Sequence, residues 1–322
     1  MMPAESPRMA IHVVVPTLNR LEQCQLSISS ILRAAARDGT VSVAVVDNGS
    51  TDGTWEWVQS LPAVVTCSQL RRATIGALRN AGAARSRAGI ISFIDSDCII
   101  DEDYFTRLRT CLNSTSAGAV GCMYGIPANA HWIERTWMAL NCPVREGDTN
   151  ALPGGSMAVT RAVFESVGGF DERMLTGEDA ELCDRIRACG HRVYESPSLR
   201  LIHLRNMSSL KGFFDKQVWH SLGMLGGKGN PLLDRMTGMT LVHIVLSLAA
   251  IAVLCLMNAG AVIRLSTAAG LLLLVPAMAV TYRVLFRQGA VIPIRSVLLY
   301  AVYFFARSWG LVLIASGRTQ KG

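Results

Sequence analysis

The chain has 322 residues, of which 50% are hydrophobic, and a mean hydropathy of +0.32, too apolar for a soluble enzyme alone. Its 31 Lys and Arg outnumber 24 Asp and Glu, giving a net charge of +7. That excess is spread along the chain instead of being gathered in a basic arm, so acidic lipid and phosphate-bearing substrates fit it and nucleic acid does not. The nine cysteines form no C-x-x-C pair and have no zinc-like spacing with histidine, which leaves them as reduced thiols. In chain order, Ile11–Val15 reads as a strand with His12 its one polar residue, and Leu21–Ala36 has helical spacing. Val41–Val46 and Val64–Cys67 read as strands, Ile75–Arg87 as a helix, and Ile90–Ile94 as a fourth strand.

Strands of continuous β-branched residues alternating with helices predict an α/β fold, its parallel sheet covered on both faces. Ligands of such sheets sit beyond the carboxyl ends of the strands. Those ends are Pro16-Thr17-Leu18-Asn19, the run from Asp47 to Asp52, and Asp95-Ser96-Asp97.

From Leu241 the composition changes to three apolar blocks, Leu241–Met257, Leu265–Phe286 and Ser296–Ser316. A spanning helix takes about 20 mostly apolar residues, so two to three transmembrane helices are expected. The third block carries Arg307 near its middle, which costs a few kcal/mol in a bilayer unless it packs or snorkels. Basic residues cluster before the first block (Lys211, Lys216, Lys228, Arg235) and between the second and third (Arg283, Arg287, Arg295), whereas Arg264 stands alone between the first and second. The positive-inside rule then places the N-terminal part in the cytoplasm of a multi-pass inner, or cytoplasmic, membrane protein. Arg318 and Lys321 oppose that orientation if all three blocks span, and MMPAESPRMAIHVVVP does not read as a cleavable signal. The expected division is 1–207 catalytic, 208–238 amphipathic and juxtamembrane, and 239–322 membrane.

Two carboxylates one residue apart after a buried strand, Asp95 and Asp97, offer hard oxygen ligands to Mg²⁺ or Mn²⁺. Asp47 opens the turn-rich DNGSTDGT and is placed to accept a hydrogen bond from a base edge, while Asp52 suits an Asx-turn and helix cap. Glu178-Asp179 reads either as acids favoured by a helix dipole or as a base within reach of an acceptor hydroxyl. Gly154-Gly155 is either a plain turn or a place where backbone approaches a ligand. His203, which ends LRLIH, is either a structural histidine or a metal ligand. Phe213, Phe214, Val218, Trp219, Leu222 and Leu225 recur at helical spacing beside Lys211 and Lys216, which suits a helix on the membrane surface or one packed on protein.

VVVPTLNR, VVDNGSTDGT, RNAGAARSRAGIISFIDSD and GGFDERMLTGEDAELCDRIRACG, in this order from about Ile11 to His203, resemble the family 2 glycosyltransferases of the GT-A fold. The resemblance implies a nucleotide-sugar donor whose base and ribose are held by Pro16, Thr17 and Asp47, with Asn19 at the same strand end. Asp95 then touches ribose or metal, Asp97 binds the metal, and Arg79 and Asn80 line the donor pocket. Asp179 becomes the general base with Glu178 beside it, Gly154 and Gly155 meet sugar and acceptor, and His203 completes a metal site. Imidazole beside two carboxylates suits Mn²⁺ better than Mg²⁺. Gln217-Val218-Trp219-His220 is similar to the Q-x-x-R-W segment of processive members but lacks its arginine and is one residue shorter. Trp219 and His220 remain candidates for acceptor contacts. The implied reaction is inverting, metal-dependent transfer to a hydroxyl of a lipid-linked or polysaccharide acceptor, with membrane lipids as further partners. The alternatives are a polyprenyl-phosphate sugar synthase, a nucleotidyltransferase of similar fold, and a non-catalytic membrane scaffold.

Overall fold

A computed structural model describes residues 9–204, 207–221, 235–287 and 293–316. Leu222, Leu225, Lys228, Arg318 and Lys321, which entered the amphipathic-helix and orientation arguments, lie outside the described residues. The chain divides into one unit of residues 1–128 and 144–205 and a second of 129–143 and 206–322.

In the first unit β1 (Ile11–Thr17) is buried along its whole length. Ile11, Val13 and Val15 join one apolar cluster and Val14 the other, the period-2 alternation of a strand covered on both faces. Helix α1 (Leu21–Asp38) supplies Cys24, Ile28, Ile31 and Ala35, spaced by three and four, to the first cluster. It stops at Gly39, whose φ of 76° is the left-handed geometry of a helix end. β2 (Val41–Asp47), α2 (Thr54–Gln59), β3 (Val65–Gln69), α3 (Ile75–Ala83) and β4 (Ile90–Ile94) follow. β3 is shifted relative to the expected Val64–Cys67 because Gln69 pairs in register with Asp47. α3 ends four residues before Arg87, since Arg85 N turns back onto Gly82 O to start the approach to β4. The cap of α2 is Gly53, at φ 91°, and Asp52 instead accepts from Thr54 N at 3.0 Å and Leu21 N at 3.2 Å.

Beyond the expected alternation come β5 (Cys98–Ile99), α4 (Tyr104–Thr115), β6 (Ala119–Gly121), β7 (Gly147–Asp148), β8 (Ser156–Thr160), α6 (Arg161–Ser166), α7 (Glu178–Ala188), β9 (Val193–Glu195) and β10 (Ile202–His203). The eight-stranded sheet has the order β3-β2-β1-β4-β8-β6-β9-β7. Its β3-β2-β1-β4 half is parallel, as expected, and β6 pairs parallel with β9. β8 runs antiparallel between β4 and β6, and β7 antiparallel to β9, so the sheet is mixed. Phe93, Phe164 and Phe170 pack ring against ring beneath it, with centroids 5.1–5.9 Å apart.

The second unit holds α5 (Trp132–Asn141), α8 (Leu210–Ser221), α9 (Arg235–Leu256), α10 (Ala261–Arg287) and α11 (Pro293–Ala315). Met236–Leu256, Ala261–Leu285 and Ile294–Ala315 are each long and apolar enough to cross a membrane. α10 continues through Pro276. Trp137 of α5 sits among Phe213, Tyr300 and Tyr303, with ring centroids 4.9–5.6 Å away, and Tyr300 OH donates to Asn141 Oδ1 at 2.9 Å. Phe213 of α8 is therefore fully buried, whereas Trp219 on the same helix is 48% exposed.

Candidate active site

At the carboxyl ends of β1 and β2 two loops lock each other. Asp47 is fully buried, and its carboxylate accepts from Gly49 N (2.8 Å), Ser50 N (2.9 Å), Ser50 Oγ (2.5 Å) and Gln69 Nε2 (2.9 Å). These donors commit the side chain to holding the loop that follows it. Asn19, at φ 49°, takes Thr51 N onto its Oδ1 at 2.8 Å, and its own N–H donates to Ser50 Oγ at 2.8 Å. Pro16 and Thr17 are buried in β1 opposite Val46 and Asp47. Asn80 clasps the loop before α7: its Nδ2 donates to Phe170 O and Glu172 Oε1, both at 2.9 Å, and its Oδ1 accepts from Phe170 N.

After β4 the chain turns through Asp95 and Asp97 and re-enters a strand at once, because Cys98 N donates to Asp95 O. β5 pairs antiparallel with β10, setting His203 opposite Cys98. Leu204 N then donates to Asp97 O at 2.7 Å. His203 Nε2 comes to 3.4 Å from Asp97 Oδ1. That oxygen is buried and accepts no hydrogen bond among the described residues, while Oδ2 pairs with the Arg20 guanidinium. A buried carboxylate oxygen facing an imidazole nitrogen fits a divalent cation. Asp97, Cys98 and His203 offer ligand atoms within 4.8 Å of one another. Burial holds the Cys98 thiol well above its usual pKa, so carboxylate and imidazole are the ligands that suit Mg²⁺ or Mn²⁺.

Asp95 faces the other way. Arg79 Nη2 lies 3.1 Å from its Oδ1 and Tyr124 OH 3.2 Å from its Oδ2. Burial pushes the Asp95 carboxyl up, but the Arg79 charge, His203 and the hydrogen bonds from Arg79 and Tyr124 outweigh it and keep it below the usual carboxylate range. Arg79, 3% exposed, reaches with Nη1 to Glu178 Oε1 at 2.6 Å. Burial, with Asp179 next to it, raises the Glu178 pKa despite that ion pair. α7 begins at Glu178, and Asp179 on its first turn stands half-exposed, accepting from Gly154 N at 3.0 Å.

Gly154 and Gly155 bring backbone close to this network. A Cβ on Gly154 would lie 2.5 Å from Arg79 Nη1, and one on Gly155 would overlap the Asp95 carboxylate. Gly155 N donates to Tyr124 OH at 3.1 Å, and Asp95 N donates to Gly155 O at 3.2 Å. The structure thus gathers Asp95, Asp97, His203, Arg79, Glu178, Asp179, Gly154 and Gly155 into one centre. Pro16, Thr17, Asn19 and Asp47 form the loop pair at the neighbouring strand ends, and Asn80 anchors the loop ahead of α7. Trp219 and His220 lie on α8 of the other unit. Arg20 and Tyr124 are additions. Arg20 ends the VVVPTLNR motif, and its charge was the available signal; nothing in the sequence around Tyr124 distinguishes it.

The family described as "Glycosyltransferase like family 2" matches residues 7–218. Glycosyltransferase AglE of Haloferax volcanii is 24% identical over 189 residues, covering 56% of this chain and 62% of that protein. Succinoglycan biosynthesis protein ExoA of Rhizobium meliloti is 27% identical over 206 residues, covering 59% of this chain and 62% of that protein. The chain thus spans about three fifths of the length of these curated relatives. Among solved structures, mannosyltransferase PcManGT from Pyrobaculum calidifontis, in complex with GDP-Man and Mn²⁺, superposes with a TM-score of 0.60 at 20% identity. That likeness covers 97% of this chain and 88% of that one, and with the sheet order it identifies the GT-A fold. The chain belongs to the family 2 glycosyltransferases.

Proposed function

We propose that the protein transfers a sugar from a nucleotide-sugar donor to a hydroxyl of a lipid-linked or polysaccharide acceptor, inverting the anomeric centre, at the cytoplasmic face of a membrane. The observation that carries this reading is the single cluster of Asp97, His203, Asp95, Arg79 and Asp179 at the carboxyl ends of the strands. Asp97 and His203 would hold a Mg²⁺ or Mn²⁺ ion, whose Lewis acidity would stabilise the departing diphosphate. Arg79, fixed between Asp95 and Glu178, holds the two carboxylates in place with no reorganisation needed during the reaction. Asp47, Asn19 and the Pro16-Thr17 strand end shape the platform for base and ribose. Asp179 is half-exposed while Glu178 is buried on Arg79, so Asp179 is the carboxylate placed to take the acceptor proton.

The three apolar helices support a multi-pass anchor. Arg283, Arg287 and Arg295 between the second and third favour a cytoplasmic catalytic unit. The test is sugar transfer to a membrane lipid extract by the full chain, with the product's anomeric configuration read by NMR. An inverted product, lost in Asp179→Asn while nucleotide-sugar binding persists, supports the reading. A retained configuration, or undiminished transfer by that variant, contradicts it.

A further inference from the structure

The basic excess of this protein sits in its second unit. Residues 129–143 and 206–322 hold twelve of the 31 Lys and Arg but only three of the 24 Asp and Glu. One of those cations lies inside an apolar helix long enough to span a bilayer. Arg307 lies within the span Ile294–Ala315, half-buried, its guanidinium 5.2 Å from the Tyr303 ring centroid. Its Nε–H is buried without a hydrogen-bond acceptor, and no carboxylate pairs with it among the described residues. Of the described acids in this unit, Asp215 is paired with Lys211 at 2.6 Å and Glu134 is buried on α5. A cation held in low dielectric without an anion is costly, and such residues mark functional positions in membrane proteins.

The packing shows where this cation points. Gly310 is three residues after Arg307 and so shares its face of α11. A Cβ on Gly310 would overlap Ser221 Oγ of α8 and lie 3.4 Å from Val218 O, so the two helices meet backbone to backbone at this glycine. Arg307, one turn earlier on that face, is thereby brought towards the last turns of α8, and its charge acts on His220 together with that of Lys216. Burial, then the charges of Lys216 and Arg307, lower the His220 pKa to about 4, so the ring is neutral at physiological pH. The result is two fixed cations and a neutral imidazole able to donate one hydrogen bond. Trp219, exposed on the same turn, is a residue type that settles at the headgroup level.

The geometry points to a binding site for a phosphate group carried by a membrane lipid, formed by Arg307 of α11 with Lys216 and His220 of α8. Guanidinium binds phosphate through two parallel N–H bonds, and the buried Nε–H is one donor suited to such a pair. The ligand chemistry is a phosphate mono- or diester on a long apolar tail, from an isoprenyl phosphate carrier or an anionic glycerophospholipid. The site rests on the lipid-linked acceptor reading above, for which it would hold the acceptor's phosphate while the sugar-bearing end reacts elsewhere.

The experiment uses the full chain in neutral phosphatidylcholine nanodiscs. An isoprenyl phosphate, the isoprenol of equal length, phosphatidylglycerol and inorganic diphosphate are each titrated, with bound ligand counted by native mass spectrometry. The wild type is expected to take up about one isoprenyl phosphate and to bind the isoprenol at least tenfold more weakly. Arg307→Leu should weaken the phosphate lipid at least tenfold, and Arg307→Lys should recover part of it. Equal uptake of phosphatidylglycerol keeps the site and assigns it to headgroup phosphate in general. Equal binding of isoprenol and its phosphate by the wild type overturns the proposal, even if the Arg307 variants fail to fold. Unchanged binding in folded Arg307→Leu, or binding of diphosphate with no phosphate lipid, also overturns it. Metal-dependent nucleotide-sugar binding, measured on the same sample, tests the donor reading separately, so either one can fail alone.

Discussion

His203 Nε2 stands 3.4 Å from Asp97 Oδ1 because the β5–β10 ladder pairs the neighbouring Cys98 with His203 itself. Removing the imidazole should therefore leave the carboxylate in place but a ligand short. His203→Ala is expected to weaken Mn²⁺ binding by about 10–100-fold, the scale of perturbed metal-site shells. Mn²⁺ electron paramagnetic resonance on the purified chain reads this directly. Affinity equal to that of the wild type would remove His203 from the metal site.

Asp179→Asn should lower kcat by about 10²–10⁴-fold, the usual contribution of a general base, with little change in donor KM. Steady-state kinetics with saturating donor separates the two. A change confined to donor KM would mean that Asp179 positions the Gly154 loop, to which it is bonded at 3.0 Å, and moves no proton.

Glu178→Gln tests the Arg79 bridge. Cutting one partner out of a buried ion pair costs about 3–5 kcal/mol. Here Asp95 remains as a second partner for Arg79, so the lower end is expected in chemical denaturation. No loss of stability would mean the Arg79–Glu178 pair adds nothing to the fold.

Helix α3 approaches the sheet closely at Gly82, where a Cβ would overlap Val14 Cγ1 and lie 3.2 Å from Val46 Cγ2. Both valines are fully buried, so neither has room to yield. Gly82→Ala should destabilise by about 1–3 kcal/mol through overpacking, seen as a lower midpoint in thermal unfolding. An unchanged midpoint would show that α3 leaves room for a methyl group against β1.

The same contact sets a pH dependence. His12 Nε2 donates to Gly82 O at 3.0 Å, which leaves Nδ1 to accept from Ser42 Oγ at 2.8 Å, a neutral tautomer. Burial, and then the Arg161 charge, lower its pKa below 6.5 against the pull of the Gly82 bond. The unfolded chain therefore takes up the proton first as pH falls through 6.5. Stability contributed by His12 is full above that pH and is lost towards the lower folded pKa. Thermal midpoints measured from pH 7.5 to 5.5 should fall, and His12→Gln should flatten the fall. Parallel profiles for the two proteins would contradict this.

The parallel half of the sheet was legible because Val13, Val43 and Ile91 sit in runs that are apolar but for His12, Ser42 and Ser92, which suit strands buried on both faces. β8 was not, because SMAVT is a short mixed run behind a glycine pair and becomes a strand only through its pairing with β4 and β6. Asp95, Asp97 and Asp179 were legible by residue type at strand and helix ends. The bridge between them was not: Tyr124 lies in no motif, and its role exists only because the sheet lays it beside Asp95 and Gly155. The contacts of Asp47 to Gly49, Ser50 and Gln69 of β3 were not legible either, because no spacing argument identifies them.

The most direct test is binding and hydrolysis of a panel of nucleotide sugars by the detergent-purified full chain, with Mn²⁺ or with EDTA, alongside Asp97→Asn. One donor should bind and turn over with Mn²⁺, and EDTA or Asp97→Asn should abolish both. Well-folded protein that binds no donor in either condition, or an Asp97→Asn variant that keeps metal-dependent turnover, would contradict it.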